Sequence, residues 1–167
     1  MTDRLWNGLS LITVIILVLV FFWALELPSV SAGESGSSPD SSPFETVTTF
    51  FAAWNMGEIW AASKLFDPEP CVTDVFPRFH WQGKNAFREW FSDLDSYNIS
   101  QGFTDYYFEV GAPLTNDVEG ALAQVIVPVV LDLKHNGQPE SYPGLVNLVL
   151  RRKHTSWKIT AFTWTSN

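Results

Sequence analysis

The sequence predicts an α+β domain, with its helices gathered in the first half and an antiparallel sheet in the second. Three observations carry that expectation. Apolar residues recur at three- and four-residue spacing up to about residue 96, and not beyond it. From Phe103 onward, β-branched and aromatic runs alternate with turn residues. Asn136-Gly137 stands between two of those runs as a hairpin signal.

The first helix is announced by Ser42, a capping residue, with Pro43 at the first helical position and Glu45 completing a capping box. Val47, Phe50, Phe51 and Trp54 then share one face, and Gly57 is placed to end the helix. A second helix is expected from Glu58 to Phe66, with Ile59, Ala62, Leu65 and Phe66 inward and Asp67-Pro68 as its stop. A short strand, Cys71–Phe76, carries a lone carboxylate, Asp74, on the same face as Val72 and Phe76. A third helix is expected over 84–96, where Phe87, Trp90, Phe91 and Leu94 repeat the helical spacing. Four long strands follow, at 103–112, 121–134, 144–153 and 157–165. Pro128, inside an apolar strand, suggests a bulge or bend, and a bent sheet can wrap around a cavity.

The chain has 167 residues and a formal net charge of −8, which argues against nucleic acid or an anionic membrane as a partner. Arg4 precedes a nearly uncharged run from Leu9 to Leu25, and Pro28 and Val30-Ser31-Ala32 come after it. Residues 1–32 read as a secretory signal cleaved after Ala32, or as a retained single-span anchor, since the run also approaches spanning length. Either reading puts the folded part outside the cytoplasm, secreted or periplasmic, and only the anchor would engage a membrane. Residues 33–43 are Gly, Ser, Pro and acids and read as a flexible linker, leaving 44–167 as one domain. Cys71 is the only cysteine, so no internal disulfide is available, and its plain reading is a small buried apolar residue. The basic run 151–154 reads as a solvated strand end, and Asn98-Ile99-Ser100 is a glycosylation sequon if the source is eukaryotic.

The order helix, helix, short strand, helix, four strands resembles the nuclear transport factor 2-like superfamily, and within it SnoaL-like and ketosteroid isomerase-like domains. The residues that carry the likeness are the aromatic first helix with Asn55-Met-Gly-Glu, Leu65-Phe66, Val72-Thr-Asp-Val and Gly83-Lys-Asn-Ala-Phe-Arg-Glu-Trp-Phe. The closing Trp157-Lys-Ile-Thr-Ala-Phe-Thr-Trp164 completes them. The resemblance spans 44–165 and implies a cone-shaped, cystatin-like roll: about three helices packed in a strongly curved antiparallel sheet, around a deep apolar pocket. It also implies a homodimer formed through the outer face of the sheet, which suits the doubly apolar strands 121–133 and 144–150.

Carried over residue by residue, the isomerase resemblance puts its proton-abstracting aspartate at Asp74. The tyrosine donor of that family falls on Phe50, and its protonated acid falls near Val146. Neither side chain donates a hydrogen bond, and one lost oxyanion donor typically costs about 10²–10³ in rate. Tyr106, Tyr107 or Asn147 would have to substitute. His80 and Trp81 are expected near the cone mouth, His80 as a second acid/base group. Trp54, Phe76, Tyr142 and Trp164 are expected to line the pocket with Phe50, and Asp132 is a second carboxylate candidate whose plain reading is a residue near the hairpin. No histidine pair stands at metal-ligand spacing, and there is no phosphate loop, dinucleotide fingerprint or Gly-x-Ser-x-Gly elbow, so neither metal nor organic cofactor is expected. The sequence thus points to an exported domain that binds a small apolar molecule, with Asp74 as an acid/base group. The alternatives are a cofactor-free isomerase or lyase and a non-catalytic dimerisation module, because one fold hosts many functions.

Overall fold

Ser42 and Glu45 form the expected capping box: the Glu45 N–H donates to Ser42 Oγ at 3.0 Å and the Ser42 N–H to Glu45 Oε2 at 3.3 Å. In the computed structural model, which describes residues 41–166, this box starts α1, Pro43–Asn55. The segment read as a signal or anchor, 1–32, and most of the stretch read as a linker, 33–43, lie outside the described residues. Two more helices follow, α2 (Ile59–Ser63) and α3 (Ala86–Gln101). The strands are β1 (Phe66–Thr73), β2 (His80–Gln82), β3 (Phe103–Val110), β4 (Thr115–Glu119), β5 (Leu122–His135), β6 (Gln138–Lys153) and β7 (Ser156–Ser166).

The strands form one sheet in the order β2-β1-β7-β6-β5-β3, with β4 beside β5. The hairpin read at Asn136-Gly137 joins β5 to β6, and both turn residues take positive φ, 50° and 81°, as a tight hairpin turn requires. All pairings are antiparallel except β1 with β7, so the sheet is mixed. That parallel pairing explains why α2 is shorter than expected. Phe66 already lies opposite Ile159 of β7, and Asp67-Pro68 sits in an irregular strand instead of a helix end. Pro68 and Pro70 have no N–H for a ladder, and the register shifts between Phe66 and Cys71.

Pro128 does not produce a bulge against β6; it stands opposite Leu145 in unbroken register. It lies where the other edge of β5 passes from β4, paired up to Ile126, to β3, paired from Val129. Its missing N–H therefore faces a gap between ladders, and its carbonyl accepts the Gly111 N–H at 2.9 Å. The irregularities that bend the sheet lie elsewhere, in β3 between Thr104 and Tyr107 and in β6–β7 between Val149 and Leu150.

Strand alternation sorts side chains as the sequence suggested. Val125, Val127 and Val129 of β5 and Val146, Leu148 and Leu150 of β6 are buried against the helices. Ile126, Pro128 and Val130 with Leu145 and Val149 form a half-exposed apolar band on the outer face. At the open edge of β3, Asn55 at the end of α1 mimics a strand: its Nδ2 donates to the Phe108 carbonyl and its Oδ1 accepts the Phe108 N–H, both at 2.8 Å. Phe50, fully buried, makes edge-to-face contacts with Phe51, Trp54, Phe66 and Phe162. It fixes α1 against β1 and β7.

Candidate functional site

An apolar cavity of about 260 Å³ opens between α3 and the end of the sheet formed by β3, β5, β6 and β7. Trp54 closes it from α1, Trp90, Leu94, Tyr97 and Asn98 come from α3, and Phe162, Trp164 and Ser166 from β7. Leu131, Leu133 and Tyr142 supply the β5–β6 side. The α3 set is a continuation of the helical face read in the sequence. The helix runs to Gln101 instead of 96, which adds Tyr97 and Asn98 one turn beyond Leu94. Gly102 ends it with φ 72°.

Asp74 is the one carboxylate in this lining. It sits just past the end of β1, at the start of the connection to β2, with Phe76 beside it on the cavity side. Its Oδ2 accepts the Trp90 indole N–H at 2.8 Å, and its Oδ1 accepts the Val75 N–H at 2.7 Å. Burial pushes the carboxyl above its ordinary pKa, and these two donors pull partly the other way. Each oxygen still has a lone pair to offer a ligand.

The connection that carries Asp74 is tightly held. The Asp74 N–H donates to the Phe79 carbonyl at 3.1 Å, and Arg78 and Phe79 take left-handed φ values of 82° and 55°. Arg78 pairs with Glu89 at 2.8 Å and Asp93 at 3.2 Å on α3. Trp81 Nε1 donates to Asp93 Oδ2 at 2.8 Å. Two indole–carboxylate bonds thus cross in opposite senses between the segment 74–82 and α3: Trp90 to Asp74, and Trp81 of β2 to Asp93.

Of the residues expected at the pocket, Trp54, Asp74, Phe76, Tyr142 and Trp164 meet in this cavity. The others do not. Phe50 lies behind Trp54 in the core, and Trp81 is a core residue whose ring packs on Phe76 at 5.0 Å. His80 is exposed on the opposite face of β2, with its Nδ1 3.5 Å from Thr73 Oγ1 and 3.8 Å from Cys71 Sγ. Strand alternation explains this: Trp81 takes the inward position, so His80 points out. Tyr106 turns its hydroxyl to the Phe103 carbonyl, across the β3 irregularity. Asp132 is on the outer face and accepts the Ser141 hydroxyl. Asn147 is also outside, accepting Gln124 Nε2 at 3.1 Å.

Phe50 and Val146 leave no donor where the isomerase resemblance needs one, since both are fully buried apolar residues. The polar groups that do reach the cavity are Tyr97, Asn98, Tyr142 and Ser166. The Tyr142 hydroxyl donates to Glu140, which His135 also contacts at 3.0 Å. That bond raises the tyrosine pKa and lowers that of Glu140. Asn98, prominent in the sequence only as a sequon, had its helical spacing from Trp90 and Leu94 as the signal for a cavity position.

No family model matches the chain, and no curated protein matches it in sequence. Solved structures do match. A nuclear transport factor 2-like protein from Salmonella enterica serovar Typhimurium has a TM-score of 0.60 at 18% identity, over 73% of this chain and 86% of that one. A ketosteroid isomerase-like protein from Erwinia carotovora atroseptica gives 0.58 at 14% identity, over 72% and 90%. A CaMKII hub from S. rosetta gives 0.59 at 17% identity, over 78% and 98%. At such identities the likeness is one of fold: the chain has the cystatin-like fold that these nuclear transport factor 2-like and ketosteroid isomerase-like proteins share.

Proposed function

We propose that this domain binds a small apolar molecule in the 260 Å³ cavity, with the Asp74 carboxyl as its proton-exchanging group. One observation carries the reading: a single carboxylate, desolvated and anchored by an indole, in a lining otherwise made mostly of aromatic and aliphatic side chains. Apolar pockets with a few placed polar groups are the usual form of small-molecule sites. The cavity is small against the typical range of about 300–1,000 Å³, so the ligand is compact.

The test is native mass spectrometry of the protein purified from its own host, beside Leu131→Trp, which fills the cavity. A co-purified apolar molecule in the wild type and none in the variant is the expected result. Equal retention by both would place the ligand elsewhere. Asp74→Asn should still bind, because it keeps the shape of the site.

A second reading is a cofactor-free isomerase or lyase in which Asp74 removes a proton and Tyr97, Asn98 or Tyr142 steadies the developing oxyanion. The ketosteroid isomerase-like neighbour favours it, and the raised pKa suits a base working nearer neutral pH. In that case Asp74→Asn abolishes turnover while ligand affinity persists. The apolar run 9–25 supports export of the domain, and a fusion reporter at the C-terminus would read its compartment. The outer band around Ile126, Val130 and Leu145 supports a homodimer through the sheet. Sedimentation at micromolar concentration should give a dimer, and Leu145→Asp a monomer.

A further inference from the structure

A second depression lies at the other end of the sheet, and its chemistry is opposite. Lys64, Lys84, Arg88, Lys153 and Lys158 line a groove of about 440 Å³ whose floor is Phe66, Phe87 and two prolines. Residues 41–166 contain nine Lys and Arg and fourteen Asp and Glu. Five of the nine cations face this groove, with only one of the fourteen carboxylates, Asp67. An acidic domain that scattered its charges to stay soluble would interleave the signs.

The cations are positioned yet under-neutralised. Asp67 Oδ2 meets Lys153 Nζ at 2.8 Å, which accounts for one pair. Lys158 Nζ donates to the Lys64 carbonyl at 2.7 Å, a contact that places the ammonium without cancelling its charge. Lys64 Nζ rests 4.7 Å over the Trp60 ring. Among the described residues, neither Lys84 nor Arg88 makes an ion pair. Four cations therefore converge with donors to spare, and Arg88 offers the planar fork that fits an oxyanion. The Phe66 and Phe87 rings, 4.7 Å apart, give the groove an apolar floor that limits solvent screening on one side.

We propose that this groove is a binding site for a phosphate-type oxyanion, separate from the apolar cavity, with which it shares no lining residue. Lys84 and Arg88 provide the main contacts, and Lys64 and Lys158 set the field that draws the anion in. The oxyanion belongs either to a free phosphorylated small molecule or to a lipid headgroup.

The test uses the full-length chain in uncharged detergent, titrated calorimetrically with inorganic pyrophosphate against sodium chloride of matched ionic strength. Binding at one site is expected for the wild type. The double variant Lys84→Glu/Arg88→Glu should bind at least tenfold more weakly. Both residues are exposed, so the variant should fold, and near-UV circular dichroism checks that it does. Lys134→Glu, a charge reversal outside the groove, should bind as the wild type does. In a second arm, co-sedimentation on phosphatidylglycerol vesicles is compared with phosphatidylcholine vesicles for wild type and double variant. A loss confined to pyrophosphate identifies a free ligand. A loss of the preference for anionic vesicles identifies a headgroup. Pyrophosphate binding no tighter than chloride together with no vesicle preference, or equal behaviour of the double variant in both arms, overturns the proposal.

Discussion

The two ends of the sheet are built from the same elements and have opposite characters. β6, β7 and α3 each contribute to both: Lys153 at one end of β6 and Tyr142 nearer the other, Lys158 and Trp164 on β7, Arg88 and Trp90 on α3. At the cavity end one carboxylate sits among aromatic rings, and desolvation governs its behaviour. At the groove end five cations gather around one carboxylate in contact with water, and Coulomb forces screened by salt govern theirs. The contrast predicts that salt should hardly alter the cavity end and should steadily weaken the groove end. It also predicts that the largest stability effects come from the dry end.

The largest is expected at Trp90. Its ring is 1% exposed and packs 5.3 Å from Trp54 and 5.0 Å from Phe162, while its indole holds Asp74. Trp90→Ala should cost about 3–5 kcal/mol in urea unfolding, the range for truncating a buried large aromatic residue. Trp90→Phe separates packing from hydrogen bonding. It keeps most of the ring contact, removes the N–H, and should push the Asp74 pKa further up in a carboxyl NMR titration. No change in that titration would mean that the indole bond does not form in solution.

Combining Trp90→Phe with Arg88→Glu sharpens the comparison. The two side chains line different sites but stand two residues apart on α3, and Phe87 both lines the groove and packs against the Trp90 ring. Only distant changes are expected to add within about 0.3–0.5 kcal/mol. A coupling clearly larger than that, measured by denaturation of both singles and the double, would show that α3 transmits strain between the ends.

A smaller loss is expected at Gly102, where α3 hands over to β3 beside the β5–β6 hairpin. The residue has φ 72°, and an added Cβ would lie 2.3 Å from Asn136 Oδ1. The Asn136 side chain can swing aside, so the backbone cost dominates, about 1–2 kcal/mol for an L-residue in the left-handed region. Gly102→Ala should lower stability by that amount. It should also loosen the mouth of the cavity, read as faster amide exchange at Asn136, whose N–H donates to the Gly102 carbonyl at 2.9 Å.

The same contrast explains what could be read in the sequence. Periodicity is a local signal, and it located the buried faces of α1, α3, β5 and β6, the capping box at Ser42 and the turn at Asn136-Gly137. It also brought Asp74, Trp54 and Trp164 towards one interior, because helix face and strand alternation decide direction. It did not show β4, whose Thr-Asn-Asp-Val-Glu has no buried face and becomes a strand only by pairing with β5. It missed the partner of Asp74, since the bond to Trp90 joins a loop to a helix 16 residues away. It misplaced His80 by treating a three-residue strand as a loop, where alternation could not be applied. The groove was invisible for the same reason: its cations are scattered from 64 to 158, and only the fold gathers them.

The smallest effect, and the one that most directly tests desolvation at the cavity end, is the pH dependence contributed by Asp74. Burial holds its carboxyl above the ordinary carboxylate value, so on acidification the folded protein takes up this proton before the unfolded chain does. The stability it contributes is complete below the unfolded pKa of about 3.9 and is lost as pH rises through the higher folded value. At neutral pH the buried carboxylate is a net cost, reduced by the Trp90 and Val75 donors. Asp74→Asn removes the charge and keeps one acceptor, so it should be more stable than the wild type at pH 7. The advantage should shrink as pH falls toward about 4, where the wild-type carboxyl is itself protonated. Urea midpoints for both proteins across that range measure the difference. A variant less stable at pH 7, by an amount that shrinks as pH falls, would mean that the two hydrogen bonds to the carboxylate outweigh its desolvation, and Asp74 would then be a structural anchor for the 74–79 connection and not a base.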